Sequence, residues 1–143
     1  MQVEDRKLFG EMYVLIIEED DLLRGYHTAL LKRLGITCEP LADCAGAARA
    51  LEEADENGSR PDICFVSWKM LKDGEWMQMT GGTDGAQRMQ TVCLVKEAEA
   101  DLDRIRVAGA DAMLTYPINQ AKLYHFLSDM QKEMYKKEIN ETH

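Results

Sequence analysis

Three short apolar runs constrain this chain more than any other feature: Tyr13-Val14-Leu15-Ile16-Ile17, Asp62-Ile63-Cys64-Phe65-Val66 and Thr91-Val92-Cys93-Leu94-Val95. Each is too short for a buried helix and apolar almost without interruption, the pattern of a strand covered on both faces. Between them the apolar positions fall at helical spacing. Leu22, Leu23, Tyr26, Leu30, Leu31 and Leu34 mark one face, and Ala47, Ala48, Leu51 and Ala54 mark another before Asn57-Gly58. Thr37 to Leu41 and Ala112 to Thr115 supply two weaker strands, the second after a helix predicted from Glu97 to Ala108 and stopped at Gly109. A last helix is predicted from about Asn119 to Lys137, with Leu123, Phe126, Leu127, Met130 and Met134 on one stripe and its final turns projecting.

Five β/α repeats predict a doubly wound α/β fold, because parallel strands need crossover connections and these are right-handed. Sites in such folds lie beyond the carboxyl ends of the strands. That singles out Glu18, Glu19, Ser67, Lys96, Tyr116 and Pro117, each just after an apolar run.

Composition narrows the function classes. The 143 residues suffice for one domain, and 26 Asp and Glu against 17 Lys and Arg give a formal charge of −9, which argues against nucleic acid as a partner. No run of about 18 apolar residues is present, so the expectation is a soluble, cytoplasmic protein with no membrane partner. Cys38, Cys44, Cys64 and Cys93 form no C-x-x-C pair, and with only His27, His125 and His143 there is no zinc spacing; the thiols read as packing residues. Gly81-Gly82-Thr83-Asp84-Gly85 lacks the ending of a phosphate loop and follows no strand, so it reads as a flexible turn.

From about Met12 to Met130 the order of these pieces resembles the receiver domain of bacterial two-component signalling, found in response regulators and hybrid sensor histidine kinases. The likeness rests on Val14 to Ile17 ending in acids, Arg60-Pro61-Asp62, Asp73-Gly74, and Gly109-Ala110-Asp111 with Pro117; Pro117-Ile118-Asn119-Gln120 with Leu123 is similar to receivers inside hybrid kinases. The resemblance implies a flavodoxin-like (βα)5 three-layer sandwich with a five-stranded parallel sheet of order 2-1-3-4-5. The reading divides the chain into an N-terminal tail (1–11), a receiver-like domain (12–138) and a C-terminal tail (139–143).

In receivers, acids after the first strand and an Asp ending the third hold a divalent cation, and that Asp accepts the phosphoryl group. Here Glu18 and Glu19 take the acidic-pair positions, but Ser67 stands at the acceptor position. A serine hydroxyl is a poor nucleophile without a base, and no base is named by the local sequence. Val95 is matched to the family's small hydroxyl residue, Tyr116 to its Lys, and Met113 to the pivotal aromatic of the fifth strand. Lys69, just after Ser67, either lends its charge to Glu18 and Glu19 or is simply solvated. The resemblance also implies a cis bond between Tyr116 and Pro117.

These departures point together to a degenerate receiver, or pseudo-receiver. It would be non-enzymatic, without cofactor unless Glu18 and Glu19 still bind magnesium, and would act on protein partners: a histidine kinase, a phosphotransfer domain, another receiver or a second copy. Trp68, Met70, Leu71, Trp76, Met77 and Met79 follow the third strand in what reads as an unusually apolar loop, part third helix and core, part partner surface, with Trp68, Trp76 and Met77 as its candidates. The rivals are a conventional magnesium-dependent receiver using another carboxylate (Glu18, Glu19 or Asp73) and a small-molecule sensor using the vacated acidic pocket or Cys64 and Cys93.

Overall fold

The computed structural model describes residue 9 and residues 11–80 and 89–142, so Gly81-Gly82-Thr83-Asp84-Gly85 and the side chain of Met134 lie outside the described residues. The strands are β1 (Tyr13–Ile17), β2 (Thr37–Leu41), β3 (Ile63–Ser67), β4 (Gln90–Lys96) and β5 (Ala112–Tyr116). They form one five-stranded sheet in the order β2-β1-β3-β4-β5, with every pairing parallel. The helices are α1 (Asp21–Arg33), α2 (Cys44–Asn57), α3 (Trp68–Lys72), α4 (Glu75–Thr80), α5 (Leu102–Val107) and α6 (Gln120–Thr142). The doubly wound order expected from the sequence is the order observed.

The pleat divides the core into two halves. Val14, Ile16, Phe65, Val92 and Leu94 pack with Leu30 and Leu31 of α1 and Leu123 and Leu127 of α6. Their neighbours Leu15, Ile17, Cys64, Val66, Cys93 and Val95 pack on the opposite side with Ala47 of α2, Leu71, Trp76 and Ile105. Alternation by twos is what lets one continuous apolar run serve both layers. The edge strands β2 and β5 are only partly covered, and Pro40 is accommodated in β2 because an edge strand has one unpaired side.

Local chemistry sets the helix boundaries. Asp20 caps α1 by accepting from the backbone N–H groups of Leu22 and Leu23, and Asp43 caps α2 through Gly46. Gly58 ends α2 in the left-handed conformation at φ 70°. Two motif residues prove to be structural staples: Asp62 accepts from the Tyr13 N–H at 2.9 Å, and Asp111 from the Thr91 N–H at 2.8 Å.

Several expectations need correction. Leu22 is 84% exposed and Tyr26 is also exposed, so the buried stripe of α1 is narrower than its apolar spacing suggests. The segment after β3 is helical from Trp68 onward rather than a loop. The single helix expected from Glu97 to Ala108 is a 3₁₀ turn at Glu97–Glu99 and the short α5, separated because Asp101 caps α5 through the Arg104 N–H. Phe9, placed in the tail by the sequence, is fully buried against Tyr124, and α6 runs to Thr142, beyond the Lys137 expected.

Candidate functional site

The carboxyl ends of β1, β3, β4 and β5 bring Glu18, Glu19, Ser67, Lys96 and Tyr116 to one edge of the sheet. Glu18 follows β1 and is 1% exposed; its Oε2 accepts from the Asp20 N–H at 3.1 Å. Burial pushes its carboxyl up to about 7, the Asp20 N–H opposes this, and the neighbouring Glu19 charge adds to it. Near neutrality Glu18 is therefore an acid that retains its proton far more than an ordinary carboxyl, held under the sheet edge.

Glu19 shares a side-chain hydrogen bond with Glu18, and its Oε1 accepts from the Ser67 hydroxyl at 2.6 Å; Ser67 is 3% exposed. Ser67 stands at the N-cap position of α3, where serine commonly caps with its side chain, yet it makes no such bond. Its hydroxyl proton is committed to Glu19. The hydrogen-bond partner of Ser67 thus comes from the end of β1, 48 residues away.

Three consecutive acids are each engaged: Glu18 accepts the Asp20 N–H and bonds with Glu19, Glu19 also accepts from Ser67, and Asp20 caps α1. Among the described residues no three His, Cys, Asp or Glu side chains converge as a metal-ligand set. A hard divalent cation needs charged oxygen ligands. The carboxylate expected from β3 is a serine here, and Glu18 resists ionisation, so these residues do not fit the magnesium site that the receiver likeness implies.

One sequence assignment changes. Val95 does not end β4; its side chain is buried in the half-core that holds Leu71 and Ile105, while the strand continues to Lys96, which pairs in register with Tyr116. By the pleat, Lys96 shares the face of Ser67 and Tyr116, so a cation stands where a hydroxyl was sought. Lys69 lies exposed on α3 and forms no ion pair among the described residues, which favours the solvated reading.

The corner after β5 is held by α1 and α6. The Tyr116-Pro117 bond is cis. The Tyr26 hydroxyl donates to the Ile118 carbonyl at 2.6 Å, Gln120 Nε2 to the Leu30 carbonyl at 3.0 Å, and Lys122 Nζ to Thr115 Oγ1 at 2.9 Å as well as to the Thr115 carbonyl. Burial raises the Tyr116 hydroxyl above its ordinary range, and the charges of Glu18, Glu99, Glu19 and Asp20 raise it further. Met113 packs into the half-core shared with Trp76.

The apolar segment after β3 divides. Trp76 is 1% exposed and its indole N–H donates to Thr91 Oγ1, so it is core and not a partner surface. Trp68 is half-buried and Met77 exposed. The cysteines are free thiols; burial pushes Cys93 up to about 12 and Cys64 higher still, far from the reactive range.

No family model and no curated protein matches this chain. Solved structures do. A two-component response regulator with a GGDEF domain superimposes with a TM-score of 0.75 at 15% identity, covering 94% of this chain and 55% of its own. The receiver domain of a sensor histidine kinase from Pseudomonas aeruginosa PAO1, solved with magnesium in its active-site cleft, gives 0.67 at 20% identity and covers 85% of this chain and 98% of its own. A receiver-modulated diguanylate cyclase from Pelobacter carbinolicus gives 0.65 at 16%, with 89% and 97% covered. The chain thus spans about half the length of the first of these. At such identities the likeness establishes the fold: this chain has the architecture of response-regulator receiver domains. No described helix is long and apolar enough to cross a membrane.

Proposed function

We propose that this chain is a pseudo-receiver, a module of two-component signalling that works by protein contact without aspartyl phosphorylation. The observation that carries the reading is Ser67 at the end of β3, its hydroxyl bound to Glu19, where a receiver would present its acceptor carboxylate. The bonds from Tyr26, Gln120 and Lys122 around the β5–α6 corner fit a face fixed in one state, so control would come from binding or abundance rather than from a phosphoryl group. The domain itself would be non-enzymatic and cytoplasmic, with a histidine kinase, a phosphotransfer domain, another receiver or a second copy as partner. In a longer chain it would serve as the receiver of a hybrid kinase or of an output protein.

The test is the intact mass after incubation with magnesium and acetyl phosphate, beside a working receiver. An unchanged mass is expected. A phosphoryl increment on this chain would overturn the reading.

A further inference from the structure

A void of about 10 Å³ lies between α1, the sheet and the start of α6, and among the side chains that line it His27 alone is polar. His27 is 4% exposed, and neither of its ring nitrogens has a hydrogen-bond partner among the described residues. A buried imidazole ordinarily gives its N–H to an acceptor, so this one is out of the common pattern. The rest of the wall is apolar: Ile16, Phe65 and Leu94 from the central strands, Leu114 from β5, and Ile118 and Leu123 on the α6 side.

The ring stands at a joint. Tyr26 and Tyr116 flank it, with centroids 5.6 and 5.9 Å away. The Tyr26 hydroxyl ties α1 to the Ile118 carbonyl, and Gln120 Nε2 ties α6 to the Leu30 carbonyl, so both ties start within one turn of His27. Of the titratable groups on the surrounding elements, only Tyr26 and Tyr116 touch the ring among the described residues. Cys38 of β2 and Tyr124 of α6 pack on the same half-core, and β3 and β4 present Phe65 and Leu94. Arg24 is held by the Glu18 carbonyl and Asp21, Glu18 by the Asp20 N–H and Glu19, and Lys122 by Thr115. A proton on His27 therefore meets no acceptor and no counter-ion, and burial lowers the affinity for it.

A cation with two N–H donors cannot stay in an apolar wall and must turn toward water. Its ways out are unequal. Strands β1, β3 and β4 are each bonded on both sides, whereas β5 is an edge strand and the corner after it is tied to α1 by side chains. We propose that protonation of His27 turns its ring out through the β5–α6 corner, parting α1 from Ile118 and Gln120 while the sheet stays folded, so that acid releases this corner. The inference goes beyond the pseudo-receiver reading and holds whether or not Ser67 replaces a phosphoacceptor, because it gives the corner a second state governed by a proton.

Hydrogen exchange read by mass spectrometry on the full chain at about pH 7.5 and about pH 5, corrected for the intrinsic pH dependence of exchange, tests the proposal. Protection of residues 22–31 and 116–124 should fall about tenfold or more at the lower pH, while β1, β3 and β4 stay protected. His27→Phe, which keeps an aromatic ring in the wall, and His27→Gln should each abolish the fall; Glu18→Gln should retain it. The imidazole proton resonance missing from His27→Phe should titrate with the same midpoint as the exchange. An imidazole still neutral at pH 5, a fall spread evenly over all five strands, or a fall that persists in both His27 variants would overturn the proposal.

Discussion

Ser67 at the end of β3 and Glu19 just beyond β1 are joined by a 2.6 Å hydrogen bond that takes the serine hydroxyl away from its usual helix-capping role. Glu18 accepts from the Asp20 backbone N–H and also shares a side-chain hydrogen bond with Glu19. The acidic positions of the receiver pattern are occupied, and one oxygen of each carboxyl is engaged within the protein, Glu18 Oε2 by the Asp20 N–H and Glu19 Oε1 by Ser67.

Ser67→Asp would set a third carboxylate against this pair. Like charges at hydrogen-bond range disfavour one another, so the variant should lose about 1–3 kcal/mol of stability above pH 7. Magnesium should restore much of the loss in the variant and leave the wild type unmoved. Thermal melts with and without magnesium check this; a variant insensitive to the ion would mean that Glu18 and Glu19 cannot turn toward it.

Glu18 should make stability depend on pH. Its folded value of about 7 lies above the ordinary 4.5, so between these limits the folded chain keeps a proton that the unfolded chain releases. Its contribution is complete below about pH 4.5 and is lost as pH rises toward 7, on the order of 3 kcal/mol. Glu18→Gln should flatten this fall and exceed the wild type at pH 8 in a denaturant titration.

His27 should act at the acid side. It is buried, neither ring nitrogen has a hydrogen-bond partner among the described residues, and burial lowers its proton affinity. With the folded value below the ordinary 6.5, the unfolded chain binds the extra proton as pH falls, so stability drops below about 6.5. His27→Phe should therefore melt higher than the wild type at pH 5, and by less at pH 8.

Trp76 and Met77 are adjacent but should respond differently. Trp76→Ala empties a fully buried site and leaves Thr91 Oγ1 without its donor, at a cost of about 3–5 kcal/mol. Met77→Ala should stay within about 0.5 kcal/mol. Chemical denaturation of both variants separates core from surface; equal losses would place Met77 in the core.

Gly109 combines two constraints. Its φ is +112°, and an added Cβ would stand 2.8 Å from Met77 Cε. Gly109→Ala should cost about 1–3 kcal/mol, chiefly from the backbone, because the Met77 methyl can swing aside. The double variant with Met77→Ala should recover only a small part, measured in the same unfolding experiment.

Much of the fold was legible because its signals are local. Continuous apolar runs require burial on two sides, helical spacing between them requires crossovers, and Gly58 marks a helix end by its own chemistry. Misreadings arose where tertiary contact overrode local pattern: Leu22 continues the apolar stripe of α1 yet has nothing to pack against, and Phe9 looks like tail but meets Tyr124. The apolar run stops at Val95, whereas backbone pairing carries β4 on to Lys96.

By itself the sequence determined the parallel sheet and the serine at the acceptor position, since periodicity and residue identity are properties of the chain. Only the tertiary structure decided that Glu19 is the partner of Ser67, that Lys96 rather than Val95 shares their face, and that Trp76 belongs to the core while Val107 does not. Those facts depend on which residues meet across different strands and helices, and on how much water the packing removes, and neither is encoded in the spacing along one segment.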